Sequence, residues 1–219
     1  MPSDFPAMTL VAFDFDGTLT GSEMTVLLGE QCGVADELAM ITEQAMNDEI
    51  EYADSLRRRV RLLEGLTGEQ VRAAFDEIEL RPGAVEVLND LDTAGTDTAI
   101  LTGGFERGVR HALKQAGASV DVIVANRLGV NDKKLTGEVE GPLIEGTKDI
   151  VLRAVADELG HSLAHTVVVG DGANDLPMLR AAGLAIGFRP KPAVAEDCDV
   201  SVVSMEELRD VFAEQSLLV

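Results

Sequence analysis

The chain has 219 residues, 46% of them hydrophobic, with no Trp and one Tyr, which is length for one full domain around an aliphatic core. Its 39 Asp and Glu against 18 Lys and Arg leave a formal net charge of −21, which repels nucleic acid and anionic membrane. The opening MPSDFPAMTL lacks the pattern of an export signal, no apolar run approaches the roughly 20 residues of a bilayer span, and Cys32 and Cys198 are too isolated for a disulfide framework or zinc site. A cytoplasmic protein is expected. Scarce Lys beside abundant acid also suits a high-salt habitat, because at ~1 M salt the screening length falls to about 3 Å.

Along the chain, LVAFDF at 10–15 reads as a buried strand. Residues 22–80 then show helical periodicity and no strand, until Pro82 and Gly83 mark a return to the earlier pattern. That stretch is expected to be a helical cap domain inserted into a core made of 1–21 and 81–219. A helix over 84–95 precedes a strand over 97–104, and a helix over 105–117 precedes a strand over 121–126. Residues 126–141 alternate around Asn131-Asp132 and predict a β-hairpin excursion from the core. A helix over 147–160, a strand over 165–171, a helix over 176–183 and short strands over 184–188 and 199–203 complete the series. Strand–helix alternation implies an α/β protein with a doubly wound, mostly parallel, Rossmann-type sheet. Ligands of such sheets lie beyond the carboxyl ends of the strands, where Asp14, Thr102 and Asp171 fall.

Asp14 and Asp16, two apart at the end of the first strand, point to one side of an extended backbone. A second acidic cluster, Asp171 and Asp175, follows another strand. Carboxylates gathered this way call for a hard cation, and Mg²⁺ suits them because it takes few carboxylates and fills its shell with water and phosphate oxygens. Thr102, followed by Gly103, Gly104 and a helix start, offers a hydroxyl with free amides to an anion. Lys148, at another helix start, adds a fixed cation. Together these groups would stabilise a phosphoryl group in transfer, with Asp14 attacking phosphorus and Asp16 serving as acid and then base. Singly, each has an ordinary reading: a turn, a solvated lysine, or, for Asp175, a helix cap. Their order and their placement at element ends favour chemistry.

DFDGTLT, LTGG, Lys148 and GDGAND, in that order, resemble the four motifs of the haloacid dehalogenase superfamily over essentially the whole chain. The resemblance implies Asp14 as nucleophile, Asp16 as acid/base, and Mg²⁺ on Asp14, the backbone carbonyl of Asp16 and Asp171. Asp175 would support that metal, and Asn174 would lie near the phosphate. Glu23, YADSLRRRVRLLEGL at 52–66 and ANRLGVNDKKLTGEVEG at 125–141 further resemble the phosphoserine phosphatase family. There the substrate ammonium would fall to Glu23 and its carboxylate to Arg59. Arg57, Arg58 and Arg61 read as a solvated helix face. Tyr52 stands where that family commonly has Phe. The expected ligand is a small phosphomonoester, O-phosphoserine. A phosphatase for another small phosphomonoester, a phosphotransferase and a non-catalytic phospho-ligand sensor remain alternatives. Nothing in the sequence supports an oligomer.

Overall fold

The computed structural model describes residues 10–47 and 49–218. The first nine residues, where no export signal is expected, lie outside the described part. Strand β1 (Leu10–Phe13) is followed by four helices, α1 (Met24–Glu30), α2 (Ala35–Met46), α3 (Tyr52–Arg61) and α4 (Gly68–Asp76). Then come α5 (Ala84–Ala94), β2 (Asp97–Phe105), α6 (Glu106–Ala116), β3 (Val122–Asn131), β4 (Lys134–Glu140), α7 (Pro142–Glu145) and α8 (Lys148–Leu159). Strand β5 (Thr166–Gly170), α9 (Leu176–Ala181), β6 (Leu184–Phe188), β7 (Val200–Val202) and α10 (Met205–Glu214) close the chain.

The strands form one sheet in the order β4-β3-β2-β1-β5-β6-β7, parallel throughout except for β3 with β4. This is the doubly wound α/β architecture expected. From β1 the chain builds outward on both sides, so a crevice opens at the carboxyl end of β1. Alternation along the strands divides the core. Val11, Phe13, Ile100, Val167 and Val169 face one layer, and Leu10, Ala12, Leu101 and Val168 face the other. A parallel sheet covered on both faces needs such unbroken apolar strands. In the first layer Phe13 meets Phe212 of α10 edge-on, ring centroids 6.2 Å apart.

Helices α1 to α4 pack on one another through Leu28, Leu38, Leu56, Val60 and Phe75, in a cluster continuous with the first layer. A reciprocal capping box of Thr67 and Gln70 starts α4. Where the chain returns to the sheet, the Arg81 guanidinium donates to the carbonyls of Thr18 (3.0 Å) and Gly17 (2.8 Å), tying return to departure. Strand β3 does not end near residue 126 but continues to Asn131, because β4 prolongs its ladder. Asp132 and Lys133, both at positive φ (45° and 63°), make the two-residue turn between them.

Candidate active site

Asp14 is the first residue after β1, and its N–H still donates to Val169 of β5 at 2.8 Å. Its Oδ1 accepts from the Phe15 amide at 2.7 Å and lies 2.8 Å from the Lys148 ammonium. Lys148, the first residue of α8, is 3% exposed and also reaches Asp175 Oδ1 at 2.5 Å. The other oxygen of Asp175 accepts the amides of Asp171 (2.8 Å) and Gly172 (3.1 Å). One oxygen from each of Asp14, Asp171 and Asp175 falls within 4.8 Å of the others. Within this trio Asp175 has both oxygens engaged, whereas Asp171 Oδ1 is buried with no partner. Proximity alone makes Asp175 a third ligand; its hydrogen bonds make it the brace of the other groups. Gly17, at φ +85°, passes so close that a β-carbon there would stand 2.6 Å from Asp171 Oδ2.

Asp16 accepts the Met24 amide on Oδ2 at 3.2 Å and leaves Oδ1 buried and unpartnered. Opposite it, Thr102 Oγ1 accepts the Gly104 amide at 3.0 Å, while Asn126 donates to the Gly103 carbonyl at 3.0 Å and fixes the turn. A β-carbon on Gly103 would collide with the Tyr52 hydroxyl, 1.7 Å away. From the helices, Glu23 stands at the start of α1 and Arg59 on α3. Arg59 is 2% exposed, whereas Arg57, Arg58 and Arg61 face solvent. Its Nη1 donates to Thr25 (3.2 Å) and Thr42 (3.0 Å), and its Nε and Nη2 have no partner. Asp14, Asp16, Glu23, Arg59, Thr102, Gly103, Gly104 and Asn174 line one chamber with ≈ 10 Å³ of free space, about the room of a single water. A cleft of ≈ 580 Å³ adjoins it, and Tyr52, Gly103 and Asn174 belong to both.

The charge balance of the chamber is lopsided. Burial, reinforced by Asp175, pushes Asp14 up to about 6 against the pull of Lys148. Burial, then Glu23 and Asp14, holds Asp16 well above the usual carboxylate range. Asp171 is pushed up to about 9 by burial, Asp175 and Asp14. Glu23 rises to about 7 through burial, opposed by Arg59. For Lys148, burial works against the charge, but Asp14 and Asp175 outweigh it and hold the ammonium above its ordinary value. Asp14, Asp16, Glu23, Asp171 and Asp175 thus gather around Lys148 and Arg59, with Lys191 acting on Glu23 and Arg81 on Asp171 from further out.

The model of the haloacid dehalogenase-like hydrolase family matches residues 11–180. The phosphoserine phosphatase of Halobacterium salinarum is 50% identical over 96% of this chain and 100% of its own length. That of Methanocaldococcus jannaschii is 39% identical over 93% of this chain and 95% of its own. The chain belongs to the haloacid dehalogenase-like hydrolases, in the phosphoserine phosphatase family. Two solved structures share its fold, each with a TM-score of 0.88 and 37% identity. One is a substrate-bound phosphoserine phosphatase complex, covering 95% of this chain and 98% of its own. The other is a phospho-aspartyl intermediate analogue of phosphoserine phosphatase, covering 94% and 99%.

For a member of this family, the acidic cluster fits a divalent cation. The orphaned oxygen of Asp171, the mutual repulsion around it and an all-oxygen donor set are what such an ion relieves. Every sequence-derived candidate reaches either the chamber or the Lys148 cluster. Sequence reading missed Thr25 and Thr42. The usable signal was the phase of α3: Arg59 shares the buried stripe of Ser55, Leu56 and Val60, and a buried guanidinium needs partners. His111 and His161 serve structure, meeting Asp76 and Asp97 at 2.6 Å.

Proposed function

We infer that this enzyme hydrolyses O-phosphoserine to serine and inorganic phosphate through a phosphorylated Asp14. What carries the reading is one chamber that sets two carboxylates, Asp14 and Asp16, beside an acid, Glu23, and a buried guanidinium, Arg59. Asp14, 2.8 Å from the Lys148 ammonium, is the carboxylate that attacks phosphorus. Asp16, whose carboxyl is held well above the usual carboxylate range by burial, Glu23 and Asp14, would give a proton to the serine oxygen as the P–O bond breaks. The resulting Asp16 carboxylate then takes a proton from water, whose oxygen attacks phosphorus and releases phosphate from Asp14.

Thr102, whose Oγ1 is oriented by the Gly104 amide, would hold the phosphoryl oxygens together with Lys148, with Asn174 close by. Mg²⁺, held by Asp14, Asp171 and the backbone carbonyl of Asp16, would neutralise charge on the phosphoryl oxygens. Asp175 would keep Lys148 and the Asp171 turn in place. A free amino acid phosphate offers an ammonium for Glu23 and a carboxylate for Arg59. The chamber's ≈ 10 Å³ describes a closed state, so residues 22–80 would act as a cap that opens to admit substrate and shuts out bulk water. No helix among the described residues is long and apolar enough to cross a membrane, and the acidic surface supports a cytoplasmic enzyme of serine synthesis working at high salt.

The test is phosphate release from O-phosphoserine and a panel of phosphoesters at high salt with Mg²⁺. Wild type is expected to favour O-phosphoserine, Asp14→Asn to lose turnover on all of them, and Arg59→Ala to lose mainly O-phosphoserine. Acid-quenched wild type should carry phosphate on Asp14 by mass spectrometry. Turnover retained by Asp14→Asn, or label on another residue, overturns the covalent route.

A further inference from the structure

The Arg59 side chain presents a chemical puzzle that the reaction itself does not resolve. A guanidinium carries five N–H donors in a planar fork, and one that is 2% exposed cannot satisfy them with water. Among the described residues no carboxylate lies within ion-pair distance of it. Among the described residues its hydrogen bonds run from Nη1 to two hydroxyls, Thr25 Oγ1 at 3.2 Å and Thr42 Oγ1 at 3.0 Å. Those hydroxyls are themselves buried, at 3% and 5% exposure, and come from different helices, α1 and α2. On another side the Tyr52 ring lies 5.7 Å from the guanidinium carbon. What remains free is one edge of the fork, Nε with Nη2, in the wall of the chamber that also holds Glu23 and Asp16.

We propose that Thr25 and Thr42 are positioning residues for substrate selection: by holding Nη1 from two helices they turn the Nε–Nη2 edge of Arg59 toward the chamber, where it takes a planar carboxylate on two parallel hydrogen bonds. This rests on the reading that the chamber binds O-phosphoserine with its carboxylate on Arg59. Two features set the arrangement apart from ordinary packing of an arginine. Neutral acceptors fix the guanidinium without cancelling its charge, so the full positive charge stays available to an anion. The unpartnered edge is also the one whose two N–H groups point the same way, matching the spacing of carboxylate oxygens. An acid in place of either threonine would neutralise Arg59, and an apolar residue would leave Nη1 buried without an acceptor and free the fork to turn. Because the threonines sit on α1 and α2 while Arg59 sits on α3, the edge is aimed correctly only when these three helices are packed together. The selection for an α-carboxylate is thus built into the closed packing of the helices.

The experiment compares O-phosphoserine with O-phosphoethanolamine, which keeps the phosphate and ammonium but lacks the carboxylate. The shape-conserving double variant Thr25→Val/Thr42→Val is expected to raise KM for O-phosphoserine about tenfold or more, the loss of a charge-assisted contact. Its kcat should change far less than its KM. The ratio of kcat/KM between the two substrates should fall toward one by a similar factor. Thr25→Ser/Thr42→Ser, which restores the hydroxyls, should recover the ratio, and that separates aim from general damage to the fold. A double valine variant that keeps the wild-type ratio, or one whose loss is equal on both substrates, overturns the proposal; so does failure of the serine variant to recover it. If wild type itself shows no preference for O-phosphoserine, what fails is the reading of the substrate.

Discussion

On the sheet side of the chamber, Asp14, Asp171, Asp175 and Lys148 come from strand and helix ends and hold one another, with Lys148 bridging Asp14 and Asp175. On the helical side, Glu23 and Arg59 come from α1 and α3, and no ion pair joins them. The first wall lacks positive charge: Asp14 and Asp171 are pushed up by burial and by the carboxylates around them. The second wall lacks a ligand, because the free edge of Arg59 has no hydrogen-bond partner among the described residues. One wall is built for a reaction that any phosphoester undergoes. The other is built for a molecule with a charge of each sign.

That difference predicts how each wall fails. Chelation of divalent ions should abolish turnover on every phosphoester, with added Mg²⁺ restoring it; turnover that survives a chelator would remove the metal from the reaction wall. Next in size, Asp16→Asn should cut kcat for O-phosphoserine by about 10²–10⁴-fold. With p-nitrophenyl phosphate, whose leaving group needs no proton, the same variant should give a burst of nitrophenolate followed by a slow phase. A uniform loss without a burst would mean that Asp16 does not act as base in the second step.

Recognition should show a pH signature instead. Glu23 rises from 4.5 to about 7. Between those values the folded chain holds a proton that the unfolded chain has released. This contribution to stability is therefore present below about 4.5 and lost as pH rises through about 7. Substrate affinity runs the other way, since only the carboxylate accepts an ammonium. KM for O-phosphoserine should fall as pH rises from about 6 to about 8, and Glu23→Gln should flatten that trend. Equal profiles for both proteins would place the ammonium elsewhere. The smallest effect is expected at the surface link between the walls, Lys191 Nζ to Glu43 Oε2 at 3.2 Å. With both side chains partly exposed, Glu43→Gln should change kcat/KM by less than about twofold at high salt.

Much of the reaction wall was legible in the chain because its parts are local. Asp14 and Asp16 share one strand end, Thr102 to Gly104 lie near the end of β2 just before α6, and Asp171 to Asp175 follow β5, and the sheet brings strand ends together by rule. Resemblance supplied Arg59 and Glu23, and the phase of α3 independently marks Arg59 as buried. Thr25 and Thr42 were invisible, since a threonine on a helix looks the same whether it faces a leucine or a guanidinium. The length of β3 was misjudged for a similar reason: its last residues are a strand because β4 pairs with them.

By itself, the order of residues determined an α/β sheet, the acid-bearing strand ends and a chemistry that follows from carboxylates beside an anion-binding turn. Those features depend on contacts within a few residues or on the period of a strand, which any local window carries. Tertiary structure alone decided that Asp175 spends both oxygens on its neighbours, that two threonines 17 and 34 residues away in sequence hold Arg59, and that the chamber has room for about one water. Each of these is a matter of which side chains meet across helices distant in the chain, and packing, not periodicity, chooses them.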